Sequence, residues 1–280
     1  MNRKIDHVIK SSKVYEGAGV KLNRVFGFQK TPSFDPFLLL DHFKSDEPQD
    51  YEAGFPWHPH RGIETVTYMH WGAVAHGDSL GNEGVINDGD VQWMTAGSGI
   101  IHQEMPQVSE KGINGFQLWV NLPKVNKMTD PRYQGITAEM IPHIEKSDVN
   151  ISVLCGTFEE AAGPVQGITA EVQYLDVQLK AGAVFNYNIS EENMVFAYIY
   201  EGSIVDEEKG ELSDLQAILF SKGESLSIKA GSKGAGFLLI SGKPLLEPVA
   251  WQGPIVMNTE EELRQAFKEY HEGTFIKTKG

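Results

Sequence analysis

Two short pairs of side chains carry the clearest chemistry in this sequence. His58 and His60 lie two apart in FPWHPHRGIETVTYMHWG at 55–72, and His102 and Glu104 lie two apart in GDVQWMTAGSGIIHQEMP at 89–106. On a β-strand, residues i and i+2 stand on one face, so each pair can aim at one point. If the two strands are neighbours, three imidazoles and one carboxylate converge. Such nitrogen and oxygen donors suit Fe, Mn, Ni, Cu, Co or Zn, and no thiolate is offered. An octahedral ion held by four side chains keeps two positions for water or substrate, which is the pattern of a catalytic site. Pro59 cannot donate to a ladder, which places the first pair on an edge or at the start of a strand. H-x-H and H-x-E are short patterns, and spacing alone does not separate a metal site from exposed histidines.

The elements that must position these pairs read as β. Strand-like stretches recur at Ile63–His70, Asp90–Met94, Gly115–Asn121, Ile151–Leu154, Glu171–Leu179, Val195–Tyr200, Gln216–Phe220 and Gly236–Ile240. Turn signals separate them, including NDGD at 87–90, AGSG at 96–99 and KAG at 180–182. Short strands at this spacing predict a sandwich or barrel rather than alternating βαβ units. One helix is expected near 260–271: Thr259 and Glu262 form a capping box, and Leu263, Ala266, Phe267 and Tyr270 make one apolar stripe. Residues 123–147, with Pro123, Pro131 and Pro142, read as a linker, and 159–168 as a surface loop. Residues 1–145 hold eight of the nine histidines, so the first half can build a polar site and the second has little to build one from.

Composition removes several function classes. The formal net charge is −14 without a basic cluster, which disfavours direct nucleic-acid binding and anionic membrane surfaces. Cys155 is the single cysteine, so no internal disulfide forms, and its apolar SVLCG surroundings predict an inert buried thiol. The start has no apolar signal region and no apolar run is long enough to span a bilayer, so a cytoplasmic location is expected.

The runs HPHRGIETVTYM, AHGDSLGNEG, GDVQWMTAGSGIIHQEMP and GFQLWVNLP, in that order, resemble the pirin family of the cupin superfamily. DPFLLLDHF at 35–43 and GPIVMNTEEELRQAFKEYHEGTF at 253–275 resemble it as well, so the likeness covers most of the chain. The resemblance implies an all-β bicupin, two antiparallel jelly-roll-like β-barrels with a short C-terminal helix. It implies a metal-binding cupin barrel over residues 1–130 and a metal-free cupin-like barrel over 131–280. It implies His58, His60, His102 and Glu104 as ligands of Fe2+ or another divalent transition metal, with Glu104 also catalytic. The activity implied is metal-dependent opening of flavonols such as quercetin with dioxygen. The alternative is an iron-bearing, redox-responsive module that binds a protein partner.

Two features depart from the wider patterns. Cupins commonly take the acidic ligand four residues after the second histidine, where Glu64 stands, whereas pirins use the position of Glu104. Glu64 is then expected to line the site or pair with Arg61, and Trp57 and His42 to alter the pocket wall. His76 is expected to make a structural hydrogen bond or to touch substrate; Asp78 and Asn82 read as turn formers. Trp93, Trp119 and Phe116 read as core, and His7, His70, His143 and His271 as surface.

Overall fold

The computed structural model describes residues 1–277. The chain is mostly β and forms two compact units. One contains Lys13–Ala138, Gly167–Ala170 and the chain from Leu245 onward; the other contains Met1–Ser12, Glu139–Gln166 and Glu171–Pro244. A division near residue 130, read along the chain, cannot register that the two terminal segments are exchanged between units, because long-range pairing makes both exchanges.

In chain order the first strands are β1 (Ile5–Lys10), β2 (Ser12–Glu16), β3 (Val20–Phe26), β4 (Phe37–Ser45), β5 (Phe55–His60) and β6 (Ile63–Trp71). There follow β7 (Ala73–Asp78), β8 (Glu83–Ile86), β9 (Val91–Thr95), β10 (Ile100–Gln107), β11 (Ile113–Asn121) and β12 (Arg132–Ile136). A short helical turn α1 (Thr31–Phe34) and the C-terminal helix α2 (Glu260–His271) complete the set used below. Strand β1 pairs with Gln216–Phe220 of the later unit.

The unit that carries the histidine motifs has a seven-stranded sheet, ordered β12-β9-β6-β11-β4-β3-β2, and a four-stranded sheet, ordered β5-β10-β7-β8. From β12 to β3 in the first and throughout the second, neighbouring strands run antiparallel. Side chains alternate between faces along each strand. Val20, Leu22, Arg24, Leu39, Asp41, Phe43, Thr67, Gln117 and Trp119 therefore project from one face of the larger sheet, and all line one cavity. Residues 123–147 are not a bare linker: β12 pairs with β9 along its length, and His143–Glu145 pairs with Val149–Cys155. The 159–168 stretch likewise begins in a small hairpin, Thr157–Phe158 against Ala161–Ala162.

The later unit is built on a long strand, Ser225–Gly242, paired with Val172–Leu179 and Met194–Asp206. Its interior is filled by apolar side chains, among them Val153, Leu175, Val177, Ile199, Phe237 and Leu239. Cys155 is buried there.

The predicted helix forms as α2. Thr259 accepts from the Glu262 amide while the Glu262 carboxylate accepts from the Thr259 amide, the reciprocal bonds of a capping box. Leu263 and Ala266 are buried against Ile255, Met257 and Phe275, while Tyr270, the last residue of the stripe, is mostly outside that cluster.

The C-terminal segment is fastened to the turn between β5 and β6. Arg61 donates to the carbonyls of Ser98 and Phe275 and to Glu269, and its guanidinium lies 4.2 Å from the Phe275 ring centre. Lys127 donates to the carbonyls of Gly62 and Val256 and to Asn121, using all three ammonium protons. Gly62 sits at φ +77°, and a Cβ there would lie 1.9 Å from the Val256 carbonyl oxygen. Gly62→Ala combines left-handed backbone strain with that clash. It is expected to cost on the order of 3 kcal/mol, read as a lowered denaturant midpoint at unchanged m-value.

Burial pulls the Glu269 carboxyl upward, but bonds from Gln265, Lys277 and Arg61 outweigh it and bring it down to about 2. Because the folded value lies below the ordinary 4.5, the unfolded chain takes up the proton first as pH falls. The Glu269 contribution is whole above about pH 4.5 and drains away towards about pH 2. Melting curves of wild type and Glu269→Gln should therefore differ by a constant interval above pH 4.5 and converge near pH 2.

Candidate metal site

Strand β10 is the centre of the site. His102 pairs directly with His58 on β5 and with Asp78 on β7, and Glu104 pairs with His76 on β7. Directly opposed residues share a face, so these polar side chains form one patch on the four-stranded sheet. The register with β5 slips between His102 and Glu104.

The three expected histidine ligands meet. Their ring nitrogens lie within 4.8 Å of one another, and among the described residues no other group of His, Cys, Asp and Glu is placed to hold a metal. The Nε2 of His58 stands 3.0 Å from the Nε2 of His60 and 3.0 Å from the Nε2 of His102. The opposite nitrogens explain what faces inward. Nδ1 of His58 lies 2.9 Å from the Pro56 carbonyl oxygen, and Nδ1 of His60 lies 3.0 Å from that of Pro254. A carbonyl only accepts, so each Nδ1 carries the proton and each Nε2 presents a lone pair.

Two lone pairs aimed at each other across 3.0 Å repel unless a cation lies between them. The spacing itself fits one. Donors about 2.1 Å from a shared ion lie about 3.0 Å apart when they subtend roughly a right angle, and about 3.4 Å apart in a tetrahedron. Burial pushes His60 and His102 well below the usual imidazole range, with the neighbouring histidines adding to the effect, so both rings stay in the neutral, ligating form. The donor set and its tautomers thus fit a nitrogen-liking divalent metal.

Glu104 is buried beside this cluster but is not one of the nitrogen-bearing group that meets at one point. Its Oε1 is 2.8 Å from the Thr67 hydroxyl, and its Oε2 accepts from Gln117 Nε2 at 3.2 Å. The same Thr67 hydroxyl is 2.7 Å from Gln117 Oε1.

Glu64 is excluded by parity. Thr67 faces the cavity, so Glu64, three residues earlier on the same regular strand, faces the other way. It is buried, accepts from the Thr95 hydroxyl at 2.7 Å, and burial raises its carboxyl. Arg61 does not pair with it and bonds Glu269 instead. His42 also points away from the cavity, where it bonds Asn114 and stacks on Phe116, and Trp57 stands in solvent. Neither is part of the pocket wall, contrary to the expectation from the motif.

His76 bonds Asp78 at 3.4 Å, stacks on Tyr133, and its ring centre is 5.6 Å from that of His102. Asp78 accepts from the amides of Leu80 and Asn82 and from the Asn82 side chain, the turn-forming role expected. Trp93 and Phe116 are core residues, but Trp119 lines the cavity and packs edge-on against His60 at 5.0 Å. His7, His143 and His271 are exposed, and His70 is half-buried against Tyr68 and Phe116.

The histidines open onto a cavity of about 660 Å³ in this same unit, within the range of small-molecule sites. His58, His60, Glu104, Thr67 and Gln117 form its polar end, and Trp119, Trp251, Phe43, Phe55 and Leu39 supply flat or apolar walls. Sequence reasoning missed Thr67 and Gln117. Both are ordinary polar residues on strands, and only pairing between β6 and β11 brings them to Glu104.

Comparison with known proteins agrees with this architecture. The pirin family profile matches residues 19–120, and that of the pirin C-terminal cupin domain matches residues 174–276. A Pseudomonas aeruginosa protein, provisionally named quercetin 2,3-dioxygenase, is 44% identical over 265 residues, covering 92% of this chain and 93% of its own. The crystal structure of quercetin 2,3-dioxygenase from Acinetobacter baumannii aligns with a TM-score of 0.91 at 32% identity, covering 98% of this chain and 99% of that one. A bacterial pirin from Escherichia coli, solved in complex with nickel(II), shares the fold at a TM-score of 0.64 and 22% identity, covering 85% of this chain and 98% of that one. The fold is therefore cupin-like in two domains, and no helix of the described residues is long and apolar enough to cross a membrane. The first profile spans His58, His60, His102 and Glu104, the second reaches into α2, and this chain belongs to the pirin family.

Proposed function

We propose that the protein is a metal-dependent dioxygenase of the pirin type, which opens flavonols such as quercetin with dioxygen. The observation that carries this reading is the meeting of three imidazole Nε2 atoms, two of them fixed as lone-pair donors by backbone carbonyls, beside an otherwise apolar cavity. The names of the Pseudomonas and Acinetobacter relatives support the substrate class, and the nickel(II) of the Escherichia coli pirin supports a divalent transition metal. His58, His60 and His102 hold the metal, with Glu104 as fourth ligand and Fe2+ as the resident ion. When bound, the metal supplies Lewis acidity towards the substrate's 3-hydroxyl and 4-carbonyl oxygens and access to dioxygen chemistry.

The chain's own residues do the rest. Trp119 and Trp251 present flat faces that orient a planar ligand, and the apolar walls exclude water. Glu104 accepts the 3-hydroxyl proton of the flavonol. The Thr67 hydroxyl serves both charge states of that carboxylate. It donates to ionised Glu104 and, once Glu104 carries the proton, accepts from it while donating to Gln117 Oε1. Glu104 therefore keeps its bond to Thr67 in both states, and only Gln117 Oε1 gains or loses the Thr67 proton.

The direct test is oxygen uptake on quercetin by protein loaded anaerobically with Fe2+. Catalytic uptake with ring opening is expected. Absence of turnover with Fe, Mn, Ni, Cu and Co alike would remove the activity.

A further inference from the structure

A row of polar side chains crosses the cavity wall away from the histidines. Thr67 on β6 pairs with Gln117 on β11, Gln117 with Asp41 on β4, and Asp41 with Arg24 on β3. Four neighbouring strands thus place four polar groups side by side on one inward face. At roughly 4.8 Å per strand, the row runs about 14 Å from the residue that holds Glu104 to the far wall.

The far end is an ion cluster. Arg24 Nε and Nη2 donate to the two oxygens of Asp41 at 2.9 and 2.7 Å, and Nη1 donates to Glu16 at 2.7 Å. One guanidinium against two carboxylates leaves a formal charge of −1. It also leaves more free acceptor positions on the carboxylates than free donors on the guanidinium. All three residues line the cavity. An independent observation points to a ligand at this end. Tyr51, 1% exposed, lines the same cavity and packs with Leu22 and Phe43, the inward neighbours of Arg24 and Asp41. Its buried hydroxyl has no hydrogen-bond partner among the described residues. Leaving such a group unsatisfied is costly, and a ligand hydroxyl would satisfy it.

We infer that Asp41, Glu16 and Arg24 form a specificity-determining subsite that takes the hydroxyl-bearing edge of a planar aromatic ligand remote from the metal and refuses an anionic one. This rests on reading the cavity as the substrate site. Phenolic hydroxyls donate to carboxylate oxygens in charge-assisted bonds, whereas a carboxylate or sulfate meets a wall of net negative charge. The polarity of the cavity then sets the direction of binding: the chelating half of the ligand lies at the histidines and its phenolic ring at Arg24.

The test uses three flavonols identical at the chelating half and differing only on the remote ring: unsubstituted, 3′,4′-dihydroxy and 4′-carboxy. Dissociation constants are read from quenching of tryptophan fluorescence in the full-length, metal-loaded protein. The dihydroxy compound is expected to bind about tenfold tighter than the unsubstituted one, and the carboxy compound more weakly than either. Glu16→Gln is expected to narrow both gaps while leaving the unsubstituted compound within about twofold. Glu16 is 41% exposed, so this variant keeps the test independent of folding where Asp41→Asn, at a buried ion pair, fails to fold. Equal affinity for the three ligands in wild type, or an equal shift of all three in Glu16→Gln, overturns the subsite, as does failure of all three to bind. Oxygen uptake is recorded on the same samples. Preference without uptake removes the dioxygenase reading alone, and uptake without preference removes the subsite alone.

Discussion

His60→Ala, purified and loaded with Fe2+ beside wild type, is expected to retain less than about a tenth of the wild-type metal. His60 contributes one of three imidazole nitrogens at the site, and its ring is fixed by Pro254 and braced by Trp119. Loss of a partner that merely orients a ligand commonly costs about 10–100-fold in metal affinity, so loss of the ligand itself should exceed that. Removing the ring also opens a gap beside Trp119, and the fold must be checked separately. Near-ultraviolet circular dichroism and the melting temperature of the apo-protein serve for that. His143→Ala, at an exposed residue of the other unit, is the control and should keep its metal. Full metal content in a folded His60→Ala protein would sink the three-histidine site. Apo-protein is in turn expected to melt lower than metal-loaded protein, because an ion bound only by the native state stabilises it by mass action.

The three histidines that meet were partly legible because they fall in i, i+2 pairs, which a strand turns to one face; that the two strands are neighbours is set by long-range pairing. The helix α2 was legible for a similar reason, since its capping box and apolar stripe are local. What the sequence hid depends on contacts between distant segments. The carbonyl that fixes the His60 tautomer belongs to Pro254, 194 residues away. The choice between Glu64 and Glu104 turns on the reversal at Gly62, which starts a new strand in the other sheet and sends Glu64 to the far face. A four-residue spacing from His60 to Glu64 gives no sign of that reversal. The polar row from Thr67 to Arg24 is likewise unreadable, because each member is an isolated polar residue on its own strand and only the register lines them up. Strands β1 and β2 are not legible in the sequence because they are half exposed and lack clean alternation.

Glu104→Gln is expected to lower kcat for flavonol opening by about 10²–10⁴, the usual range for losing a positioned proton acceptor. The substitution keeps the size of the side chain, and the amide can still bond Thr67 and Gln117, so the cavity should hold its shape. What it cannot do is take a proton: an amide oxygen remains neutral at any pH at which the protein is folded. The Thr67 hydroxyl, 2.8 Å from one side and 2.7 Å from the other, then has no second charge state to serve. Metal content measured on the same sample separates the two duties assigned to this residue. Retained metal with lost turnover identifies Glu104 chiefly as the proton acceptor, as its placement outside the nitrogen cluster suggests. Loss of both identifies it as a ligand first. Thr67→Val removes the hydroxyl at nearly constant shape. It should reduce kcat by a smaller factor, because Glu104 loses its Thr67 hydrogen bond in both charge states, the charge-assisted one to the carboxylate being the stronger. Wild-type turnover in metal-replete Glu104→Gln would leave the proton transfer without an agent in this chain.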